Sequence, residues 1–330
     1  MTKLLDNSSA GIILRCFGYY LPKHTVSNEE LSKRLETSDD WITQRTGIKS
    51  RHVAAEDELT SDLAYHALTN ALKQASLTPN EIDGIIVATS TPDLTLPSTA
   101  CAIQKKFCPS ISKAFAFDIN AACSGFVYAL TIADGLLSKG IANRIAIIGA
   151  DTYSRIVDWQ DRSTAILFGD GAGCFILERS NSSTDSCIMA AKLIANGSLY
   201  DILKTNGGIS SGNCNAKLEM NGREVFRHAI EITPNIINET ASQAGISVKD
   251  IDMIIPHQAN ARISTAIAKE LDLPASKIAS TIEQHANTSA ASIPLTMANY
   301  LERGLIKKGQ IIALCGFGAG FTAGCVIMKV

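Results

Sequence analysis

The sequence lacks several features that would assign its class at once. No apolar run approaches the roughly 18 residues that a membrane span needs. The first residues, Met1 to Ala10, are polar, and Asp6 follows the short Leu4-Leu5 pair. The apolar core of a secretion signal is therefore missing, and a cytoplasmic protein is expected, with no membrane partner. The nine cysteines contain no Cys-x-x-Cys pair, which removes zinc-ribbon and thioredoxin-type readings. No Gly-x-x-x-x-Gly-Lys-Ser/Thr string occurs, so a phosphate-binding P-loop is excluded. Charge is scarce at 19% of residues, and 30 basic against 32 acidic side chains leave a net −2. No global basic field points to nucleic acid.

What is present is apolar material. Of 330 residues, 46% are hydrophobic, enough for a large core in two domains or one large fused fold. Helical spacing over Ser61–Ser76 is followed by the strand-like Ile85-Ile86-Val87-Ala88. Ala114–Ile119 and Arg144–Ile148 read as buried strands around a helix from about Ser124 to Ser138, stopped by Gly140. This alternation predicts an α/β fold with a substantially parallel, covered sheet.

The chain also repeats itself. The stretch from Gln74 to Ile86 aligns without gaps to the one from Gln243 to Ile255, with six of 13 positions identical. The strings Ala172-Gly173-Cys174-Phe175-Ile176-Leu177 and Ala323-Gly324-Cys325-Val326-Ile327-Met328 match in the same order. A duplicated α/β unit is expected, with halves 1–180 and 181–330 joined through the Ser-rich stretch near 178–186. Ligands favour the carboxyl ends of strands in such sheets.

Four local patterns could carry chemistry. In Asp118-Ile119-Asn120-Ala121-Ala122-Cys123-Ser124-Gly125, a strand ends, small residues turn, and Cys123 opens a helix. Free N–H groups there favour thiolate and can hold an oxyanion; the alternative is a cysteine merely tolerated in a tight turn. His257 follows the strand-like Ile254-Ile255-Pro256, and is either a pocket donor or a satisfied core histidine. Asn287, in His285-Ala286-Asn287-Thr288-Ser289, looks like the second-half counterpart of the Cys123 turn, or an ordinary helix cap. Gly318-x-Gly320-x-x-Ala323 only formally resembles a dinucleotide fingerprint. Six residues follow Gly324, too few for a βαβ unit, so these glycines read as a close-packed hairpin or a ligand-facing loop.

In this order and these contexts, Cys123, His257 and Asn287 resemble the thiolase-fold condensing enzymes, in particular the β-ketoacyl-acyl-carrier-protein synthase III family. Further matching strings are Thr37-Ser38-Asp39-Asp40-Trp41-Ile42, Arg45-Thr46-Gly47-Ile48, Phe168-Gly169-Asp170-Gly171-Ala172-Gly173, Pro256-His257-Gln258-Ala259-Asn260 and Asn287-Thr288-Ser289-Ala290-Ala291-Ser292. The likeness runs from about Gly11 to Val330. It implies a five-layered α/β/α/β/α thiolase-like fold with duplicated halves, a homodimer, and no cofactor or metal, acyl-CoA being a substrate. Cys123 would be the nucleophile, His257 and Asn287 the decarboxylation pair, and the Gly318-Ala319-Gly320 loop part of the oxyanion site. Trp41, Arg45 and Arg162 match residues that bind CoA. Arg227, Arg262 and Lys269 match contacts to acyl carrier protein, although Glu270 stands where a second lysine is common. Leu96 and Phe168 would line the acyl pocket, with Leu96 reaching across the dimer. Leu96 in place of a bulkier aromatic, and Ala323 in place of a frequent tryptophan, would widen that pocket. A secondary-metabolic relative with another primer or acceptor, and a non-catalytic acyl-CoA or carrier-binding homologue, are the competing readings.

Overall fold

Strand residues alternate between two faces, and in this protein both faces are covered. The computed structural model describes residues 11–108, 113–180, 182 and 187–330. The polar stretch Met1–Ala10 and most of the expected boundary loop lie outside the described residues. Of that loop, Glu178 and Arg179 are the end of a strand.

The first set of elements is β1 (Ile12–Tyr20), α1 (Asp39–Thr46), α2 (Thr60–Gln74), β2 (Gly84–Ala88), α3 (Thr99–Lys106), β3 (Phe115–Ile119), α4 (Gly125–Ser138), β4 (Arg144–Thr152) and β5 (Asp170–Arg179). The second is β6 (Ile188–Ala195), α5 (Gly222–Gln243), β7 (Met253–Pro256), α6 (Ala261–Glu270), α7 (Ser292–Glu302), β8 (Ile311–Gly318) and β9 (Thr322–Lys329). The strands form two sheets, ordered β1-β5-β4-β2-β3 and β7-β8-β9-β6. The orders superpose as copies, and a lone parallel bridge between Ile254 and Ile278 marks the place of the missing fifth strand. The aligned repeat covers the end of α2 through β2 and the end of α5 through β7, and the second match is β5 with β9.

The sheets are mixed, not mostly parallel as the alternation suggested. β2 is parallel to β3 and β4, and β7 to β8, whereas β5 and β9 run antiparallel to their neighbours. The physical reason is plain at β8 and β9, where a three-residue turn, Ala319–Phe321, leaves no room for a crossover.

Successive side chains point to opposite layers. Ile85 and Val87 meet Leu63, Ala67 and Leu68 of α2 on one outer face. Ile86 and Ala88 meet Phe126 and Leu130 of α4 in the middle layer. That layer also holds Ile293 and Met297 of α7, with Ile255 and Leu314 from the second sheet beneath them. Ile254 and Ala313 face Ile236, Ile237 and Ile267 of α5 and α6 on the other outer face. The result is helix, sheet, helix, sheet, helix. A helix as apolar as α4 is stable only with neighbours on both sides, and the middle layer supplies them. Because α4 and α7 both lie there, their first turns meet between the two sheets, where a Cβ on Gly125 would lie 3.7 Å from Ala290 Cβ.

Candidate active site

At the end of β3, Asn120 Oδ1 accepts the Ala122 N–H at 3.1 Å, and Ala122 adopts φ +46°. This left-handed step, unusual for a non-glycine residue, aims the Ala122–Ser124 turn into the middle layer. Ser124 Oγ donates to the Ala121 carbonyl at 2.8 Å, and Thr322 Oγ1 donates to the same oxygen at 3.0 Å. β8 closes against the turn. A Cβ on Gly318 would lie 2.7 Å from the Cys123 backbone N, so only glycine leaves that N–H its space.

Cys123 is 4% exposed. Burial pushes its thiol up to about 12, the hydroxyls of Ser289 and Tyr153 pull it down, and the Asp151 carboxylate adds to the rise. The expected drift toward thiolate is thus outweighed by desolvation in the free site.

His257 follows β7, and its N–H donates to the Cys315 carbonyl of β8 at 2.7 Å. Its Nδ1 lies 2.7 Å from Ser292 Oγ at the start of α7, which leaves Nε2 as the other ring nitrogen. Burial lowers the ring's pKa to about 3, so the imidazole is neutral. Asn287 is fixed through its backbone: its N–H donates to the Leu167 carbonyl at 2.9 Å, and its carbonyl accepts from Gly169 at 3.0 Å. Its Oδ1 accepts the Ser289 N–H at 2.9 Å. The side-chain oxygen is therefore used locally, which leaves the amide NH₂ as the donor end.

Cys123, His257 and Asn287 line one cavity of about 580 Å³, together with Tyr153, Phe168 and Phe226. A thiol and two neutral hydrogen-bond donors converge in a largely apolar chamber. That arrangement can form a thioester and stabilise a developing enolate without burying a new cation.

Family models for 3-oxoacyl-[acyl-carrier-protein] synthase III match residues 117–197 and, for its C-terminal part, residues 241–330. A β-ketoacyl-[acyl-carrier-protein] synthase III of Erythrobacter litoralis is 47% identical over 313 residues, 94% of this chain and 97% of that protein. One from Wolbachia pipientis wMel is 49% identical, covering 94% of this chain and 96% of its own. The chain belongs to the β-ketoacyl-[acyl-carrier-protein] synthase III family. The fold agrees: the crystal structure of the 3-oxoacyl-[acyl-carrier-protein] synthase III of Aquifex aeolicus superposes with TM-score 0.91 at 42% identity, covering 97% of this chain and all 100% of that one.

In this synthase III family member, the remaining residues singled out from sequence are partly brought together. Half-buried Trp41 and exposed Arg45 and Arg262 line the outer end of the cavity. Arg45 and Arg162 both sit over the Trp41 indole, at 5.0 and 4.9 Å from its centroid. Arg162 also donates to the Glu36 carbonyl at 2.7 Å, so its guanidinium occupies the stacking space on Trp41. Arg262 lies 5.5 Å from the Phe226 ring centroid, linking α6 to α5. Arg227 is exposed and pairs with Glu224 at 2.6 Å, and Lys269 is exposed near the end of α6. Ala319 and Gly320 line a neighbouring cavity of about 710 Å³ that shares Tyr153 and Leu203 with the first. Phe168 stacks on Tyr153 at 4.9 Å in the chamber wall. Leu96 is 79% exposed and does not line this chain's own cavity.

Sequence reasoning missed Ser292, Tyr153, Asp151 and Arg223. Arg223 sits one residue into α5 and lines the cavity's outer end. Asp151 carried a signal, an acid ending the apolar run Ile147-Ile148-Gly149-Ala150. Among the described residues, no group of three or more His, Cys, Asp or Glu side chains is placed to hold a metal ion, and no helix is long and apolar enough to cross a membrane.

Proposed function

We propose that this chain catalyses the priming condensation of fatty acid synthesis in the cytoplasm: an acyl-CoA, acetyl-CoA first among them, and malonyl-acyl-carrier protein give 3-oxoacyl-acyl-carrier protein, CoA and CO₂. The observation that carries this reading is the convergence of Cys123, His257 and Asn287 on one cavity.

In the first half-reaction, the Cys123 sulfur attacks the primer thioester. The carbonyl oxygen becomes an oxyanion held by the Cys123 N–H, which Gly318 leaves uncovered, with a second N–H from the 318–320 loop. The C–S bond to CoA breaks, and CoA leaves with the proton that the thiol gave up. In the second, the malonyl thioester carbonyl accepts from the Asn287 amide and from His257 Nε2–H. The Ser292 hydroxyl, donating to Nδ1, keeps the imidazole proton on Nε2. Loss of CO₂ leaves an enolate on that carbonyl. Its carbon attacks acyl-Cys123, forming the new C–C bond and releasing the thiolate, which is reprotonated from solvent. A neutral imidazole suits this task, since it donates without needing a counter-charge after turnover.

Trp41, Arg45 and Arg162 bind the CoA nucleotide, with Arg162 leaving the indole as adenine arrives. Arg223, Arg227, Arg262 and Lys269 offer the acidic carrier protein a local basic face in a chain of net charge −2. The working unit is a homodimer of two-half subunits, 1–180 and 181–330. Exposed Leu94 and Leu96, at 59% and 79%, support a contact in which Leu96 closes the partner's acyl chamber. The test is a panel of primers from acetyl-CoA to medium-chain and branched acyl-CoA, assayed with malonyl-acyl-carrier protein and separately with malonyl-CoA. Product with the carrier substrate supports the reading, and turnover with malonyl-CoA alone overturns it.

A further inference from the structure

The Cys123 turn has a duplicate. Asn120-Ala121-Ala122-Cys123-Ser124 corresponds to Asn287-Thr288-Ser289-Ala290-Ala291 at a constant offset, 290 − 123 = 167. In both copies the asparagine Oδ1 accepts the N–H two residues on, at 3.1 and 2.9 Å. In both the third residue has positive φ, +46° at Ala122 and +51° at Ser289. In both the fifth N–H donates to the second carbonyl, at 3.2 and 3.0 Å.

The copies differ at the fourth N–H. That of Cys123 meets no protein oxygen among the described residues and abuts Gly318. That of Ala290 donates to Asp151 Oδ2 at 3.1 Å. Asp151 is itself the counterpart of Gly318, since 318 − 151 = 167. One strand end carries a glycine that leaves the nest open, and the other carries a carboxylate that fills it.

Asp151 is a costly residue to keep. It is 0% exposed, and burial raises its pKa. Its Oδ1 accepts from Thr89 Oγ1, Ser90 N–H, Ser90 Oγ and Thr91 Oγ1 at 3.1, 2.8, 3.2 and 2.9 Å. The turn it grips lies between Asn287 and Ser292, the partner of His257.

We propose that Asp151 is a positioning residue: its carboxylate stands as a built-in anion in the second copy of the oxyanion nest and locks the turn that sets Asn287, Ser292 and, through Ser292, the His257 ring. The inference rests on the condensing-enzyme reading above. It assigns Asp151 to the decarboxylation half-reaction; toward Cys123, whose nest is the open copy, Asp151 acts only through its charge, which disfavours the thiolate.

The test is Asp151→Asn in the full-length protein. The change is isosteric, yet each carboxylate oxygen faces a backbone N–H, of Ser90 or of Ala290, so one amide NH₂ must point at a donor. Acyl transfer from acyl-CoA to Cys123, followed by intact mass, is expected to be no more than threefold slower than wild type, because loss of the Asp151 charge eases rather than hinders ionisation of the thiol. Decarboxylation of malonyl-acyl-carrier protein is expected to fall at least tenfold in kcat with a smaller change in KM. Asp83→Ala is the stability control: Asp83 Oδ2 accepts the Asn143 and Arg144 N–H groups at 2.8 and 3.0 Å, at the opposite end of β2 and β4. Equal losses in both half-reactions, matched by Asp83→Ala, would reduce Asp151 to a stability role, and unchanged decarboxylation would overturn the proposal outright. If Asp151→Asn does not fold, Thr89→Val, which removes one Oδ1 donor and leaves the Ser90–Tyr153 hydrogen bond in place, is assayed the same way. A three- to fivefold selective loss of decarboxylation supports the proposal, and none overturns it. Absence of acyl-Cys123 in the wild type would instead sink the underlying reading.

Discussion

Gly318→Ala tests the join between β8 and the Cys123 turn. Gly318 has φ −159° and ψ −175°, extended backbone that alanine adopts freely, so conformational strain plays no part. The added Cβ would sit 2.7 Å from the Cys123 N, 3.1 Å from Ala122 Cβ and 3.2 Å from the Ala121 carbonyl oxygen. An uncrowded contact is about 3.5 Å, so turn and strand must part by roughly 0.8 Å. Two of the three atoms are backbone and cannot rotate away. Overpacking of this kind costs about 1–3 kcal/mol of stability. On the proposed mechanism the catalytic cost is larger, because an oxyanion donor displaced by nearly 1 Å forfeits about 10²-fold in rate. Single-turnover acylation of Cys123 by acyl-CoA, read by mass spectrometry beside a thermal melt, separates the two effects. The expected result is a lowered melting temperature and acylation slowed about a hundredfold in the protein that remains folded. Acylation within threefold of wild type would refute the placement of the oxyanion at the Cys123 N–H.

His257→Ala and Asn287→Ala are each expected to acylate Cys123 at near-normal rates and to lose about 10²- to 10³-fold in decarboxylation, measured as CO₂ release from malonyl-acyl-carrier protein. Full condensation in both variants contradicts the enolate site. Burial lowers His257 to about 3 and His285 to about 4, against an unfolded value near 6.5. Between those limits the unfolded chain binds the extra protons, so stability is lost as pH falls below 6.5, by on the order of 1 kcal/mol per pH unit for each ring. Urea midpoints measured from pH 7 to 5 are expected to fall, and His285→Asn is expected to flatten the slope. A flat wild-type profile contradicts the two neutral buried rings.

Much of this architecture is legible in the chain because duplication leaves a local trace. The motif from Gln74 to Ile86 recurs at Gln243 as helix end, single turn and strand, and each turn is capped alike, by Thr78 with Glu81 and by Ser247 with Asp250. Cys123, His257 and Asn287 stand out because strand ends and helix starts have local signatures. Strand direction was harder to read, since an apolar run such as Ile145–Ile148 is the same in a parallel or an antiparallel ladder. Ser292 and Asp151 stayed hidden for another reason. Their meaning lies in partners 35 and 139 residues away, His257 and Ala290, and no local pattern encodes such a distance. The low-pKa thiol expected at Cys123 failed similarly, because the turn is local while the burial that raises the thiol comes from β8 and the opposite turn.

In the proposed mechanism Cys123, alone of nine cysteines, carries the acyl group between two half-reactions. Peptide mass spectrometry after incubation with acyl-CoA, and again after adding malonyl-acyl-carrier protein, addresses this role most directly. The expected result is an acyl adduct on the Cys123 peptide that disappears as 3-oxoacyl-acyl-carrier protein forms, and no condensation in Cys123→Ala. An adduct confined to another cysteine, or condensation that survives in Cys123→Ala, would contradict it.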